Sequence, residues 1–338
     1  MINKKKLIVG VLLFCMATVS VNDSTLSLAA QEREPNGSFS NAQSVVLGER
    51  YSGVVKGIDF SDDGNDDEDE DYYKISVKEG NMYRIVIDEF KDEDGGDPGT
   101  TLVSLCKDTN TGDESSLRPE KGKSARLFKA SYSGAYYLKF YNAISDTLYS
   151  FTVENYDPVG KSVKDSDSNT YKITGKNSIE LTKAASKKGD SLYLSEEEYF
   201  TDIGGIELID PYDSKFKLTS IGKYACKGCG VKSISFPETV KKIGVGAFQN
   251  CKKLGTEKWI MGVVISGKKV VIEKDAFKGC SKLDTFRVFK SASIKSVGKN
   301  ALKGTKKGIR LEVPGVNKYK KIFKKAGLKN PQFSKAYI

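Results

Sequence analysis

The sequence contains no histidine. That absence removes Ser-His and Cys-His nucleophile pairs, histidine-ligated zinc and the commonest general base together. Hydrolysis by paired carboxylates is the route left open, yet the acids crowd into one glycine- and asparagine-containing loop and not at separate strand ends, so no enzyme is expected. Long apolar runs are scarce. Leu7 to Val19 is apolar, shorter than the roughly 20 residues of a spanning helix, and no second such run follows. Nor is there a carboxy-terminal sorting motif. Cysteine is too sparse and too odd in number for a complete disulfide framework: apart from Cys15 there are Cys106, Cys226, Cys229, Cys251 and Cys280.

What is present begins with a secretory pattern over residues 1–29. Asn3-Lys4-Lys5-Lys6 supplies a positive start, the apolar run follows, and Ser27-Leu28-Ala29 offers small residues for cleavage. A lipid anchor on Cys15 competes, but bulky Phe14 stands where such an anchor wants a small residue. The mature chain is expected to be exported, with no transmembrane segment after signal removal. Its net charge of +10 conceals an asymmetry, because Asp59 to Asp97 is acidic whereas the chain from Lys241 onward is lysine-rich. A basic half suits anionic wall polymers, acidic glycans or nucleic acid. Export disfavours nucleic acid, and a solvated lysine surface explains the charge as well.

Residues 30–157 read as an all-β domain. Alternating runs recur at Tyr72–Val77, Met82–Ile87, Thr101–Leu105, Tyr136–Phe140 and Tyr149–Val153, separated by Gly, Asn and Asp clusters, as in a β-sandwich. Residues 158–169, rich in Ser, Asp and Lys, read as a linker. Residues 170–316 carry an internal repeat. Ile221-Gly222-Lys223-Tyr224-Ala225 aligns with Ile243–Ala247, Ile272–Ala276 and Val297–Ala301. Cys229, Cys251, Cys280 and Thr305 follow each alanine by four residues, and Phe248, Phe277 and Leu302 follow it directly, with Cys226 in the first unit. Such units cannot bury an apolar face alone, so they stack into a solenoid whose strands line one face. Trp259 falls in one of those strands and is expected in the core. At residues 317–338, Tyr319, Ile322, Phe323 and Ala326 have helical spacing before Gly327, which predicts a capping helix and tail.

The fold class expected is therefore mainly β: an N-terminal β-sandwich, then a short solenoid closed by a C-terminal capping helix. The Ile-Gly, Ala-Phe, Gly-Cys or Asn-Cys pattern resembles the BspA-type leucine-rich repeats of bacterial surface proteins. Glu32-Arg33-Glu34-Pro35-Asn36 with Ser38, Phe39 and Ala42, then Asp71-Tyr72-Tyr73 and Ser133–Leu138, resembles the bacterial pre-peptidase C-terminal domain, which includes collagen-binding modules. The first resemblance implies a secreted or cell-surface adhesion protein with an extracellular protein or glycan ligand. A wall or biofilm component held through its basic half, and an accessory module acting with a peptidase in trans, are the competing readings. The second resemblance implies calcium, with Glu32, Glu34, Asn36, Glu68 and Asp71 as ligands and Gly37 where the family often has Asp.

A second calcium reading places a loop over Asp59 to Glu70, where oxygen-bearing residues fall at suitable positions, and a solvated acidic loop competes with both. Cys226-Lys227-Gly228-Cys229 has the spacing of redox or metal motifs. Its register with Cys251 and Cys280 predicts instead a buried ladder of small side chains. Tyr136, Tyr137, Tyr141 and Tyr149 invite a ligand-binding reading, tempered by alternation that buries about every other one.

Overall fold

The structure is a computed structural model and describes residues 29–57, 69–99, 101–107, 114–117, 119, 124–141, 143–185, 192–256 and 262–336. The signal segment, the loop over 58–68 and Trp259 lie outside the described residues. Two five-stranded sheets make the first module. One runs in the order Ala30–Gln31, Arg50–Val55, Thr147–Tyr156, Met82–Asp92, Ser124–Lys129. The other runs Gln43–Ser44, Asp71–Val77, Gly134–Tyr141, Leu102–Lys107, Glu114–Ser116. Alternation turns Tyr73, Ile75 and Val77 inward from one sheet and Tyr149, Phe151 and Val153 from the other. Phe140 and Tyr149 stack at 3.9 Å, and Tyr73 meets Phe151 edge-on at 4.7 Å.

The tyrosine set is mostly core. Tyr136, Tyr137 and Tyr149 are buried, and only Tyr141 is partly exposed. Tyr137 points to the outer face, yet Phe39 from the amino-terminal segment covers it and Tyr72 edge-on. Alternation alone does not foresee a cover supplied by a distant loop.

The second module is a solenoid with two parallel sheets, where the sequence predicts strands on one face. Leu192–Tyr193, Ile234–Phe236, Val263–Ile265, Thr285–Val288, Arg310–Val313 and Gln332–Lys335 pair in that order, all parallel. Phe216–Ile221, Lys242–Ile243, Val270–Ile272 and Ile294–Val297 form the other ladder. Between the sheets each coil turns through the Ala-Phe segment. Cys226, Phe248, Phe277 and Leu302 donate their N–H groups to the carbonyls of Ala247, Ala276, Ala301 and Ala326 at 2.7–2.8 Å. Ala225, Ala247, Ala276, Ala301 and Ala326 thus form the buried column expected, extended by one residue into the cap.

Two backbone positions per coil are left-handed. Tyr224, Gly246, Asp275 and Asn300 precede the column alanine, and Gly228, Asn250, Gly279 and Gly304 precede the cysteine or threonine. Gly and Asn carry most of these positions because a Cβ there is strained. Phe248 and Phe277 stack at 5.3 Å with Phe236 and Phe286 edge-on to them. The Cys251 and Cys280 thiols donate to the carbonyls of Cys226 and Phe248 one coil earlier, at 3.0 and 3.1 Å. The cap is an α-helix, Val316–Ile322, continued by a tight turn, Phe323–Lys325, that buries Tyr319 and Phe323.

The segment 158–169 is not a free linker. Ser162–Lys164 pairs antiparallel with Thr170–Gly175, and Val163 enters the solenoid core. One apolar residue between polar neighbours suffices for a strand when an edge is waiting. Nor do the modules hang apart. Met82 and Leu127 of the sandwich sit in the solenoid core, and Ile209 packs on the sandwich core. Ile209 N–H donates to the Leu127 carbonyl at 2.8 Å, and Lys107 pairs with Asp210 and Asp213. The buried Lys129 ammonium donates to the Lys215 carbonyl at 2.5 Å and lies 4.2 Å from the centre of the Phe216 ring.

Two predictions follow from this packing. A Cβ on Gly244 would stand 2.7 Å from the Ile221 carbonyl oxygen of the preceding coil. Gly244→Ala should cost about 1–3 kcal/mol in urea unfolding, as overpacking does, and a neutral result would contradict the stacking. Burial pushes Lys129 down to about 8. The unfolded chain then holds more protons than the folded one between that value and the ordinary lysine range, so stability should rise with pH from about 8 to about 10. Lys129→Met should flatten that rise in pH-dependent unfolding curves.

Candidate metal centre

The strand Asp71–Val77 begins at a fully buried carboxylate. Asp71 is held there because Tyr72 N–H donates to the Asn36 carbonyl at 3.1 Å and the Tyr149 hydroxyl donates to Asp71 Oδ2 at 2.8 Å. The amino-terminal segment crosses the same spot. Glu32 N–H donates to the Ser52 carbonyl at 3.0 Å, and Glu32 Oε2 accepts Val54 N–H at 3.0 Å. A Cβ on Gly53 would fall 2.4 Å from Glu32 Oε2 and 2.3 Å from the Tyr149 hydroxyl, so glycine alone lets the carboxylate in. Asn36 N–H reaches Glu34 Oε2 at 3.1 Å, and Asn36 Nδ2 reaches Glu32 Oε1 at 3.3 Å.

Glu32, Glu34 and Asp71 each present an oxygen within 4.8 Å of the others. Asn36, wholly buried, hydrogen-bonds into this group. Glu68 lies outside the described residues, as does most of the alternative loop Asp59 to Glu70. The sequence reading passed over Asp69, whose charge faces Glu32, Glu34 and Asp71 while its Oδ2 accepts Lys56 N–H at 2.6 Å. Its place in the acidic run was the available signal. Tyr149 and Gly53 gave no local signal, because both reach the site from across the sandwich. A Cβ at Gly37 would approach the Glu70 carbonyl at 3.3 Å, so an aspartate there would need a small shift.

The electrostatics are unfavourable as they stand. Burial, then the adjoining Glu32 carboxylate, pushes Asp71 up to about 10. Burial and neighbouring acids also raise Glu34 and Asp69. Among the described residues Asn36 Oδ1 is a buried acceptor without a hydrogen-bond donor, and Asp71 Oδ1 has only the Glu32 carboxylate beside it, a rare state for buried polar atoms. All the offered atoms are hard oxygens, carboxylate or amide, with no sulfur or imidazole. That donor set fits a hard divalent cation, calcium above others.

Comparisons with known proteins bear on the solenoid. A family model described as the BspA type leucine rich repeat region (6 copies) matches residues 257–335. Over this stretch the chain is similar to BspA-type leucine-rich repeats. A leucine-rich repeat protein from Bacteroides capillosus is similar at 16% identity, covering 51% of this chain and 98% of its own, with a TM-score of 0.33. The pre-peptidase C-terminal domain of a collagenase from Bacillus anthracis is similar at 19% identity, covering 33% of this chain and 94% of its own, with a TM-score of 0.26. No curated protein matches the chain. Among the described residues no helix is long and apolar enough to cross a membrane.

The acid cluster makes a prediction without any ion. The folded state keeps a proton on Asp71 at pH values where the unfolded chain has released it. Stability from this site is full below about pH 4 and is lost as pH climbs toward the folded value. Asp71→Asn keeps the Tyr149 bond and needs no proton uptake on folding, so in chelator at pH 7–8 it should be at least as stable as the parent. Marked destabilisation of Asp71→Asn in thermal unfolding would contradict the account.

Proposed function

We propose that the chain is a non-catalytic binding protein of a cell surface or extracellular space, whose solenoid holds an extended protein or glycan on its parallel sheet. One observation carries the reading. Ser235, Val264, Arg287, Glu312 and Ser334 are in register across five parallel strands and alternate with the inward row Ile234, Val263, Phe286, Leu311 and Phe333. The outward row thus forms a strip one residue wide, exposed at Ser235 and Ser334 and buried at Val264, with Arg287 and Glu312 paired at 2.5 Å. At the end where the strands leave the sheet, a groove of about 410 Å³ is lined by Leu194, Ser235, Phe236, Ser266 and Phe289 among others. Hydroxyls set among apolar side chains suit sugar rings and peptide backbones, which offer both kinds of surface.

We further infer that Glu32, Glu34, Asn36 and Asp71 hold calcium, which would neutralise the cluster and tie the amino-terminal segment to the strand Asp71–Val77. The gathering of three carboxylates around the buried Asn36 Oδ1, which has no donor among the described residues, favours this reading over a solvated acidic loop. The ion would serve as a cross-link.

Screening the mature chain on arrays of glycans and matrix proteins tests the first proposal. A specific ligand should appear whose affinity drops at least about tenfold, or 1.4 kcal/mol, in Ser235→Arg/Ser266→Arg. Retention on cell walls that vanishes at high salt, with no array ligand, would favour electrostatic attachment through the lysines and contradict the proposal. For the ion, saturating calcium at 100 times Kd should stabilise the chain by about 2.7 kcal/mol, raising Tm. Asp71→Asn should abolish that response, and no shift at millimolar calcium would remove the ion.

A further inference from the structure

The first coil departs from the others at one place. Phe248, Phe277 and Leu302 follow the column alanine, but here Cys226 does, and Cys229 comes three residues later. The four residues close a turn, with Cys229 N–H donating to the Cys226 carbonyl at 3.1 Å and Gly228 at φ 72°. Such turns bring their end Cα atoms within 7 Å, which overlaps the 4.4–6.8 Å span of disulfides. Cys226 and Cys229, at the two ends of that turn, shift each other's acidity in opposite directions. The Cys280 thiol also neighbours that of Cys251, but both of these thiols donate across coils to carbonyl acceptors. Exposure separates them further: Cys106, Cys226, Cys251 and Cys280 are buried and Cys229 alone of the five is half-buried. Lys223 and Lys227, exposed just ahead of Cys229 in the chain, both hold their ammonium groups over the Tyr224 ring, at 5.4 and 5.1 Å from its centre.

We propose that Cys226 and Cys229 are a thiol–disulfide exchange site that reacts with small anionic disulfides and closes into an intramolecular disulfide within the turn of the first coil. The adjoining Cys226 side chain holds the Cys229 thiol down to about 7, while Cys226 is pushed up, first by Cys229 and then by burial. Reaction therefore begins at Cys229, the accessible thiolate, since the thiolate is the nucleophile. Its sulfur attacks one sulfur of the small disulfide, the S–S bond breaks, and the leaving thiolate takes a proton from solvent. Cys226 then releases its proton to solvent, and its sulfur attacks the Cys229 sulfur of the mixed disulfide and expels the second small thiol. The protein dithiol loses two electrons and two protons, and the small disulfide gains them. The flanking lysines give an anionic disulfide a favourable approach.

The test treats the folded full chain with oxidised glutathione, traps free thiols and maps the peptides by mass. The parent should lose two hydrogens within 226–229, with Cys106, Cys251 and Cys280 still free. Cys226→Ser should instead keep glutathione on Cys229, and Cys229→Ser should leave Cys226 unreacted. A glutathione adduct that persists on Cys229 in the parent would overturn the proposal. So would reaction that occurs only in denaturant. The parent's map is decisive even if a variant folds poorly.

Discussion

Each coil of the solenoid is bound to the next by backbone hydrogen bonds made along a column of small side chains, and the second half of the chain depends on that contact. The N–H groups after the alanines reach the next alanine's carbonyl at 2.7–2.8 Å, and the alanines themselves are buried. The other repeated features serve this approach. Left-handed Gly and Asn turn the chain on either side of the column, and Gly222, Gly244 and Gly298 let successive backbones touch. The stacked phenylalanines fill the space between the sheets, where one coil alone could not bury them. Ends need closing in such an array. The hairpin of Thr170–Gly175 and Ser178–Lys183 begins it, and the helix with Ala326 finishes it.

The sandwich is built on the opposite plan. Its core is a single cluster of interlocked aromatic rings around Tyr73, Phe140, Tyr149 and Phe151, and its pairing joins strands distant in sequence. That plan carries a charge problem to its edge. The Tyr149 hydroxyl, bonded both to Tyr73 and to Asp71 at 2.8 Å, fixes a buried carboxylate beside Glu32 and Glu34. The same core ends at the neighbouring module, where Leu127 is shared with the solenoid and Lys129 lies against Phe216. The two modules therefore meet through apolar contacts and buried polar pairs.

Much of this was legible in the sequence where a pattern repeats. The recurrence of Ala225, Ala247, Ala276 and Ala301 in phase with the cysteines marks the register of the coils, and alternation located five of the seven sandwich strands of six or more residues, leaving out Arg50–Val55 and Ser124–Lys129. Less was legible where structure depends on a partner far along the chain. Ser162–Lys164 becomes a strand through an edge supplied by Thr170–Gly175, and beyond Phe216–Ile221 the second parallel ladder continues in two- to four-residue strands too short to show a period. At the acid cluster, Glu32, Glu34, Asn36 and Asp71 were readable through a family resemblance, and the structure gathers them. Asp69, Gly53 and Tyr149 needed three dimensions, and Glu68 falls outside the described residues. The Cys-x-x-Cys turn was read as part of the ladder. Its register fits, but Cys229 stays half-buried, and its N–H closes the turn onto the Cys226 carbonyl.

Amide hydrogen exchange on the native chain tests the stacking most directly. The amides of Cys226, Phe248, Phe277 and Leu302 should be among the slowest in the solenoid and should exchange together, because opening any one breaks a contact between coils. If they exchanged at the rates of exposed turn amides, or each independently of the others, the column of alanines would not be what holds the coils in register.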